Sequence, residues 1–196
     1  MKKFELFPTP VMEFDFTNHP DIPKLLDSID YISKKTSSNI DNHTLVKKGY
    51  SSYNKFNILF FPELIDLKND IQKTIDHYSR DLSITFSHIS QSWFNILDTE
   101  GKVDTHHHGS SVISGAFYPL LEKDTCNLCF KSPLYVSKTF ESSKPINNNH
   151  FQDDVVMPIK QNHLYLFPGW LEHYTEENKG NKRIVLSFNT NSLKYI

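Results

Sequence analysis

Histidines are the residues whose type and spacing give this sequence its clearest chemistry. His106, His107 and His108 form a run at the start of a stretch that ends as an apolar strand near Tyr118. If the run is extended, side chains alternate between faces, so His106 and His108 point the same way, with Cα atoms about 6.5 Å apart at roughly 3.3 Å per residue. Two imidazoles on one face can converge on a single ion, so the run predicts part of a metal site.

A metal site needs a further ligand, and His173 is the candidate for it. His173 follows the compact turn Phe-Pro-Gly-Trp-Leu, and Arg183 opens the next apolar strand. Loops held on a rigid sheet commonly carry ligand-binding residues. The chain has ten histidines, so the run by itself could also be a solvated turn. Its combination with His173 and Arg183 favours a metal site.

The elements that would position these residues are two helices followed by many short strands. Apolar residues spaced by three and four predict a helix over 21–35 and a second helix that begins at Pro62. Alternating patterns predict a strand over 84–97 that ends in a turn at 98–101, whereas the polar residues 37–55 indicate a loop. Further strands are predicted over 11–16, 105–118, 125–130, 155–159, 164–167 and 183–189.

This order of elements favours an α+β fold that is mainly β, with a sandwich or jelly-roll body. The 196 residues show no domain boundary and no internal repeat, so residues 1–196 are predicted to form one domain. The polar segment 138–154 predicts a long solvated excursion, which as a hypothesis could cover a site as a substrate lid.

The composition of the chain indicates which classes of partner molecule it is expected to bind. The net charge is −2 and no basic run exceeds two residues, which argues against nucleic-acid binding. No window reaches 18 apolar residues and the N-terminus has no apolar signal segment, so a cytoplasmic protein without a membrane partner is expected. Cys126 and Cys129 could supply half of a zinc site or a redox pair, but without a second pair they are predicted to be packing residues.

Three stretches of the sequence resemble the Fe(II)/2-oxoglutarate-dependent oxygenase superfamily. They are 93–95, 106–118 and 166–189, which together span about half of the chain. The sequence is most similar to a branch that phages and marine bacteria often carry and that is distantly similar to prolyl hydroxylases. The resemblance implies a double-stranded β-helix (a cupin-like jelly roll) with the two N-terminal helices packed on it, and a host-cytoplasmic location if the chain is phage-encoded.

The resemblance also implies the chemistry. Fe(II) would be the metal, 2-oxoglutarate the cosubstrate and dioxygen the oxidant, with succinate and CO2 formed as a C–H bond of a second substrate is hydroxylated. The superfamily usually binds iron with two histidines and one carboxylate. Here His108 stands where the carboxylate is expected, so the implied ligands are His106, His108 and His173. Asp104 is a reserve candidate on the same predicted strand face.

The cosubstrate residues are implied in the same way. Arg183 would hold the far carboxylate of 2-oxoglutarate, since a guanidinium pairs with a carboxylate through two hydrogen bonds. Relatives often carry a hydroxyl two residues after this arginine, where this chain has Val185. Ser187 or Tyr118 could supply the missing contact, and Asn95 could line the pocket with Trp93.

Two other functions remain open at the level of sequence. One is a cupin-like metalloprotein that uses three histidines without 2-oxoglutarate. The other is a non-catalytic jelly-roll module for binding or structure, with histidines that merely line a pocket. No motif identifies the primary substrate or an oligomer interface.

Overall fold

A computed structural model describes residues 8–36, 45–133 and 153–192. Within these ranges the chain is mainly β, with two α-helices near its start. None of the described helices has the length and apolarity needed to cross a membrane. The elements in chain order are β1 Met12–Asp15, α1 Ile22–Lys35, β2 Val46–Ser51, α2 Ile65–Asp81, β3 Ser87–Val103, β4 Ile113–Leu121, β5 Leu128–Lys131, β6 Asp154–Met157, β7 His163–Pro168, β8 His173–Tyr174 and β9 Arg183–Ser192.

The two helices form close to where apolar spacing predicts them. In α1 the buried residues fall at spacings of three and four, and a proline lies in its first turn, where its missing N–H costs nothing. A short 3-10 turn, Pro62–Leu64, leads into α2. The buried carboxylate of Asp21 accepts a hydrogen bond from the Leu67 backbone N–H at 3.1 Å, which ties the start of one helix to the other.

Six strands form the larger sheet, in the order β1-β7-β4-β9-β3-β2. Every neighbouring pair in it is antiparallel. A smaller antiparallel sheet has the order β6-β5-β8. Strand alternation gives the larger sheet two different faces.

One face of the larger sheet packs against the helices and the other against the smaller sheet. Phe117 and Leu186 belong to the cluster that contains the buried residues of α1 and α2. Their strand neighbours Tyr118 and Val185 belong to a second cluster with Phe130 of β5. The second face, between the sheets, is therefore the one available for a site.

The structure corrects three predictions about elements. Residues 46–51, expected to be loop, form the edge strand β2; its sequence is polar because an edge strand has one solvated side. The expected turn at 98–101 lies inside β3, where Glu100 adopts a positive φ of 66° and the register with β2 shifts. The expected strand over 105–118 is broken, because β4 begins only at Ile113. The predicted lid at 138–154 lies mostly outside the described residues.

Candidate metal centre

Three imidazoles meet on the face between the sheets. His106, His108 and His173 each offer one ring nitrogen, and these atoms all lie within 4.8 Å of one another. The Nε2 atoms of His108 and His173 are 3.3 Å apart. Two nitrogens that bind one metal at about 2.1 Å, with an angle between 90° and tetrahedral, lie about 3.0–3.4 Å apart. The His108–His173 pair therefore has the spacing of two ligands of one metal, and the three nitrogens together form a group that could hold an ion.

Backbone pairing brings the histidines together. His106 and His173 form an isolated antiparallel bridge, with N–H to O distances of 3.0 and 2.9 Å. The His108 N–H donates to the carbonyl of Gly169 at 2.7 Å, and the Gly169 N–H donates to Val112 at 3.2 Å. The histidine run is thus hydrogen-bonded to the turn before His173, and this pairing takes the place of the continuous strand that the sequence predicts.

Hydrogen bonds fix which ring nitrogen faces the centre. Nδ1 of His106 lies 2.8 Å from the carbonyl oxygen of Asp104, and Nδ1 of His173 lies 2.9 Å from that of Leu171. A carbonyl accepts only, so each Nδ1 carries the proton and each Nε2 presents a lone pair. The side chain of Asn189, which accepts a hydrogen bond from Ser114 at 3.2 Å, also interacts with the ring of His108 and acts to raise its pKa. Such contacts orient metal-ligating histidines and set their tautomer.

All three imidazoles are held neutral. Burial lowers the pKa of His106. Burial, followed by the charge of His106, lowers the pKa of His108 to about 4. Burial, with His106 and His108 adding to it, lowers the pKa of His173 well below its ordinary value. A neutral imidazole is the form that binds a metal.

Asp104 contributes its backbone and not its carboxylate. The carboxylate pairs with Lys47 at 3.7 Å and with Lys102 at 3.6 Å on the half-exposed outer side of the sheet. The described residues that gather at the centre as a possible metal group are the three histidines alone. The expectation that Asp104 shares the ligand face is therefore wrong, because the chain leaves regular strand geometry after Val103.

Arg183 lies at the inner end of the same cavity, with 1% of its surface exposed. Its Nε–H donates to the carbonyl of Cys126 at 3.1 Å, and Nη2 donates to the Tyr118 hydroxyl at 3.3 Å. Nη1 is buried without a partner, and no carboxylate among the described residues forms an ion pair with this guanidinium. A buried, unpaired cation is costly, so this corner of the cavity suits an anion.

The other predicted residues line this inner cavity, which has a volume of about 50 Å³. Tyr118 is buried and its ring lies 4.8 Å from the Arg183 guanidinium carbon; burial raises the pKa of its hydroxyl to about 12, so it stays a neutral donor. Ser187 and Val185 both line the cavity. They pair across strands with Trp93 and Asn95, respectively.

Three features of the site go beyond what the sequence predicted. Asn189 contacts His108, and its even spacing from Arg183 along β9 was the signal that places it on the same face. The ring of Trp93 stacks on that of His108, with centroids 5.5 Å apart. Asn178 is fully buried; its side chain accepts from the Cys126 N–H at 3.0 Å and so holds the loop that faces Arg183.

The two cysteines are buried and free. Cys126 supports the site through its backbone, since its carbonyl accepts the Arg183 Nε–H. The structure thus gives Cys126 a backbone contact with Arg183, and the described residues provide no second pair of cysteines for a zinc site.

Residues 91–189 match a sequence family described as "Putative 2OG-Fe(II) oxygenase". The chain belongs to this family. Its family cofactors are Fe(II) and 2-oxoglutarate. The donor set of this 2OG-Fe(II) oxygenase family member fits both cofactors, because three neutral imidazoles converge and a buried guanidinium without an acidic partner lies in the same cavity.

Solved structures of the same superfamily share the fold at low sequence identity. A prolyl-4-hydroxylase from Pseudomonas putida is 7% identical, with 94% of this chain and 93% of that chain covered and a TM-score of 0.60. A viral collagen prolyl hydroxylase from Paramecium Bursaria Chlorella virus-1 is 10% identical, with 93% and 96% covered and a TM-score of 0.58.

A third similar structure is longer than this chain. An oxidoreductase of the 2OG-Fe(II) oxygenase family from Burkholderia pseudomallei is 9% identical, with 67% of this chain but 57% of that chain covered and a TM-score of 0.51. No curated protein sequence matches the chain.

Proposed function

We propose that this protein is an Fe(II)- and 2-oxoglutarate-dependent dioxygenase that hydroxylates a C–H bond of a second substrate. The observation that carries the proposal is Arg183. Its guanidinium is buried, keeps an unpartnered Nη1 and lines the same cavity as the three histidines. A cation in this position fits an anionic cosubstrate, and family membership makes 2-oxoglutarate that cosubstrate.

Each residue has a distinct task in this proposal. His106, His108 and His173 hold the metal through Nε2, and their Nδ1 partners keep the rings in place. Arg183 binds the far carboxylate of 2-oxoglutarate, and Tyr118 holds the guanidinium and offers its own O–H to the same carboxylate. When bound, iron and 2-oxoglutarate would support an oxidative decarboxylation in which one atom of dioxygen enters succinate, CO2 is released, and the other oxygen atom hydroxylates the substrate.

The third histidine changes the charge of the site. A carboxylate at position 108 would bring one negative charge to the metal, whereas the His108 imidazole is neutral. The metal then keeps more of its own positive charge, which strengthens its attraction to the 2-oxoglutarate carboxylates. Trp93 supports this unusual ligand by ring stacking, and Asn189 interacts with its ring.

We also propose the finer architecture that the family resemblance implies. The two antiparallel sheets, which share the cluster around Tyr118 and Phe130, would form a double-stranded β-helix, and residues 1–196 would make one domain. Apolar side chains between the sheets exclude water from the inner cavity, which strengthens the electrostatic attraction between Arg183 and an anion.

The test is an anaerobic titration with Fe(II) and then 2-oxoglutarate, followed through the visible charge-transfer band of the chelate. The wild type should develop the band, and Arg183→Gln should need at least about tenfold more 2-oxoglutarate, since a hydrogen bond to a charged group contributes about 1.5–3 kcal/mol. Lys182→Gln, which removes an exposed cation next in the chain, is the matched control and should titrate as the wild type.

The same titration separates the proposal from its rival. A cupin-like three-histidine protein would bind iron without forming the band, and Arg183→Gln would behave like Lys182→Gln. If neither the wild type nor Lys182→Gln binds iron stoichiometrically, the histidines line a pocket of a binding module and the oxygenase proposal fails.

A further inference from the structure

A second, larger cavity opens beside the metal centre. It has a volume of about 550 Å³ and shares five residues with the inner cavity, which are Trp93, Asn95, Val103, His106 and His108. A molecule in this outer cavity would therefore touch His106 and His108, whereas His173 and Arg183 line only the inner cavity. Given the proposed function, on which this inference rests, the outer cavity is where a second substrate would meet the site.

The described wall of the outer cavity carries no Asp, Glu, Lys or Arg. Fourteen residues line it, and at the 22% charged fraction of the whole chain about three of them would be charged. Strand alternation explains the difference, because Val46 and Val103 face inward as a cross-strand pair while Lys47 and Lys102 face outward as the next one. The outward cations are engaged with Asp104.

The wall does carry an unsatisfied amide. Asn95 is 7% exposed and lines both cavities, and its Oδ1 is buried with no hydrogen-bond partner. A buried amide oxygen without a partner is costly. A carboxylate such as those of 2-oxoglutarate cannot satisfy it, since a carboxylate has no proton to donate. A ligand N–H or O–H can.

Aromatic rings form the remaining recognition surface. The ring of Tyr53, 38% exposed, meets the ring of Trp93 edge to face at 5.0 Å. Trp93 in turn stacks on His108. This aromatic series leads from the mouth of the outer cavity to the metal ligands, and it suits a flat or apolar group.

We propose that the outer cavity binds the primary substrate as an uncharged group that packs against the aromatic rings of Tyr53 and Trp93 and donates an amide N–H to Asn95. Carboxylates and amines are disfavoured there, because the described wall offers no opposite charge, the two charges of bound 2-oxoglutarate offset those of the metal, and burial would strip the hydration of a charged group. Asn95 is thus a specificity-determining residue for the second substrate.

Three probes of similar size test whether the outer cavity prefers an uncharged ligand to a charged one. Indole-3-acetamide is neutral and donates an amide N–H, indole-3-acetate is an anion, and tryptamine is a cation at pH 7.5. Dissociation constants are measured by ligand-observed NMR on protein loaded with Zn²⁺ and saturated with 2-oxoglutarate, so that the Arg183 corner is filled. The amide should bind at least about tenfold more tightly than either charged probe.

Two variants locate the effect at Asn95. Asn95→Ala should remove most of the preference for the amide. Asn95→Asp, which has the same shape, should make tryptamine the tightest of the three probes. The proposal is overturned if indole-3-acetate or tryptamine binds the wild type as tightly as the amide, if none of the three binds, or if both variants keep the wild-type order.

A separate measurement keeps this inference distinguishable from the proposed function. Binding of Zn²⁺ and 2-oxoglutarate is measured first in the same samples, and its absence counts against the oxygenase proposal alone. The probe order is then measured in Arg183→Gln as well, where it should match the wild type, because Arg183 lines the inner cavity and not the outer one.

Discussion

Gly169 is the residue through which the turn between β7 and β8 approaches the histidine run, and Gly169→Ala is the sharpest test of how the centre is built. A Cβ added at position 169 would lie inside contact distance of the Ser111 carbonyl oxygen. It would also lie 2.8 Å from the carbonyl carbon and 2.9 Å from the Cβ of Ser111. The backbone needs no positive φ here, so the whole effect of the substitution is steric.

Ser111 cannot easily move away from the added methyl group. Its Oγ donates to the Ile113 carbonyl at 2.7 Å and accepts from the Thr190 N–H at 3.0 Å. The clash must therefore be relieved by moving the turn that contains Gly169 away from the turn that contains Ser111. This movement also lengthens the hydrogen bond from the His108 N–H to the Gly169 carbonyl. We expect a loss of about 1–3 kcal/mol in the free energy of unfolding, as is typical for overpacking.

The same displacement should change the positions of the histidines in the candidate metal centre. His108 would move with the turn that contains Ser111, and His173 would move with the turn that contains Gly169. Their Nε2 atoms should therefore separate beyond the present 3.3 Å. Loss of supporting geometry around a metal ligand commonly costs about 10–100-fold in metal affinity. Chelator competition measures that affinity, and urea unfolding without metal measures the stability.

Gly109→Ala is the matched control. A Cβ there would meet only the ring of His107, at 3.2 Å, and that side chain can turn aside. We expect wild-type stability and metal affinity from it. If Gly169→Ala matched Gly109→Ala in both measurements, the reasoning that the turn contact positions His108 would be refuted.

Two further substitutions probe the helix junction and the cosubstrate corner. Asp21→Asn should cost about 1–3 kcal/mol in urea unfolding at pH 7, because the buried carboxylate binds Lys24 at 2.7 Å and the Leu67 N–H at 3.1 Å. The Lys24 hydrogen bond lowers the pKa of Asp21 below 3.8, so this stabilisation is complete above pH 3.8 and should be lost as the pH falls through the folded-state pKa. Tyr118→Phe should weaken 2-oxoglutarate binding about tenfold in the anaerobic titration, because Nη2 of Arg183 loses its partner.

Exposed residues of the same types supply the controls. Asp30→Asn breaks only a surface pair with Lys34 and should cost less than about 1 kcal/mol. Tyr31→Phe alters an exposed ring and should leave 2-oxoglutarate binding unchanged. An Asp21→Asn protein with the stability of Asp30→Asn would show that the helix junction is not held by this carboxylate. Wild-type 2-oxoglutarate affinity in Tyr118→Phe would remove Tyr118 from the proposed site.

Local pattern was enough to predict the parts of this protein that depend on near neighbours. The spacing of apolar residues predicts α1 and α2, since one stripe of a helix must be buried wherever it packs. Even spacing along β9 puts Arg183, Val185 and Ser187 on one face for the same kind of reason. The type and spacing of the histidines, together with the family resemblance, predict His106, His108 and His173 as metal ligands, and the proposed function assigns them that role.

Only the tertiary structure decided how these parts meet. The bridge between His106 and His173 joins segments far apart in sequence, and no local pattern encodes such a contact. Asp104 carries the right chemistry for a ligand, yet its carboxylate faces Lys47 and Lys102, because the chain bends after Val103. The burial of Arg183 without an acidic partner among the described residues likewise depends on the packing of two sheets. That packing, and not the sequence pattern, buries the guanidinium of a strand arginine and leaves its Nη1 without a partner.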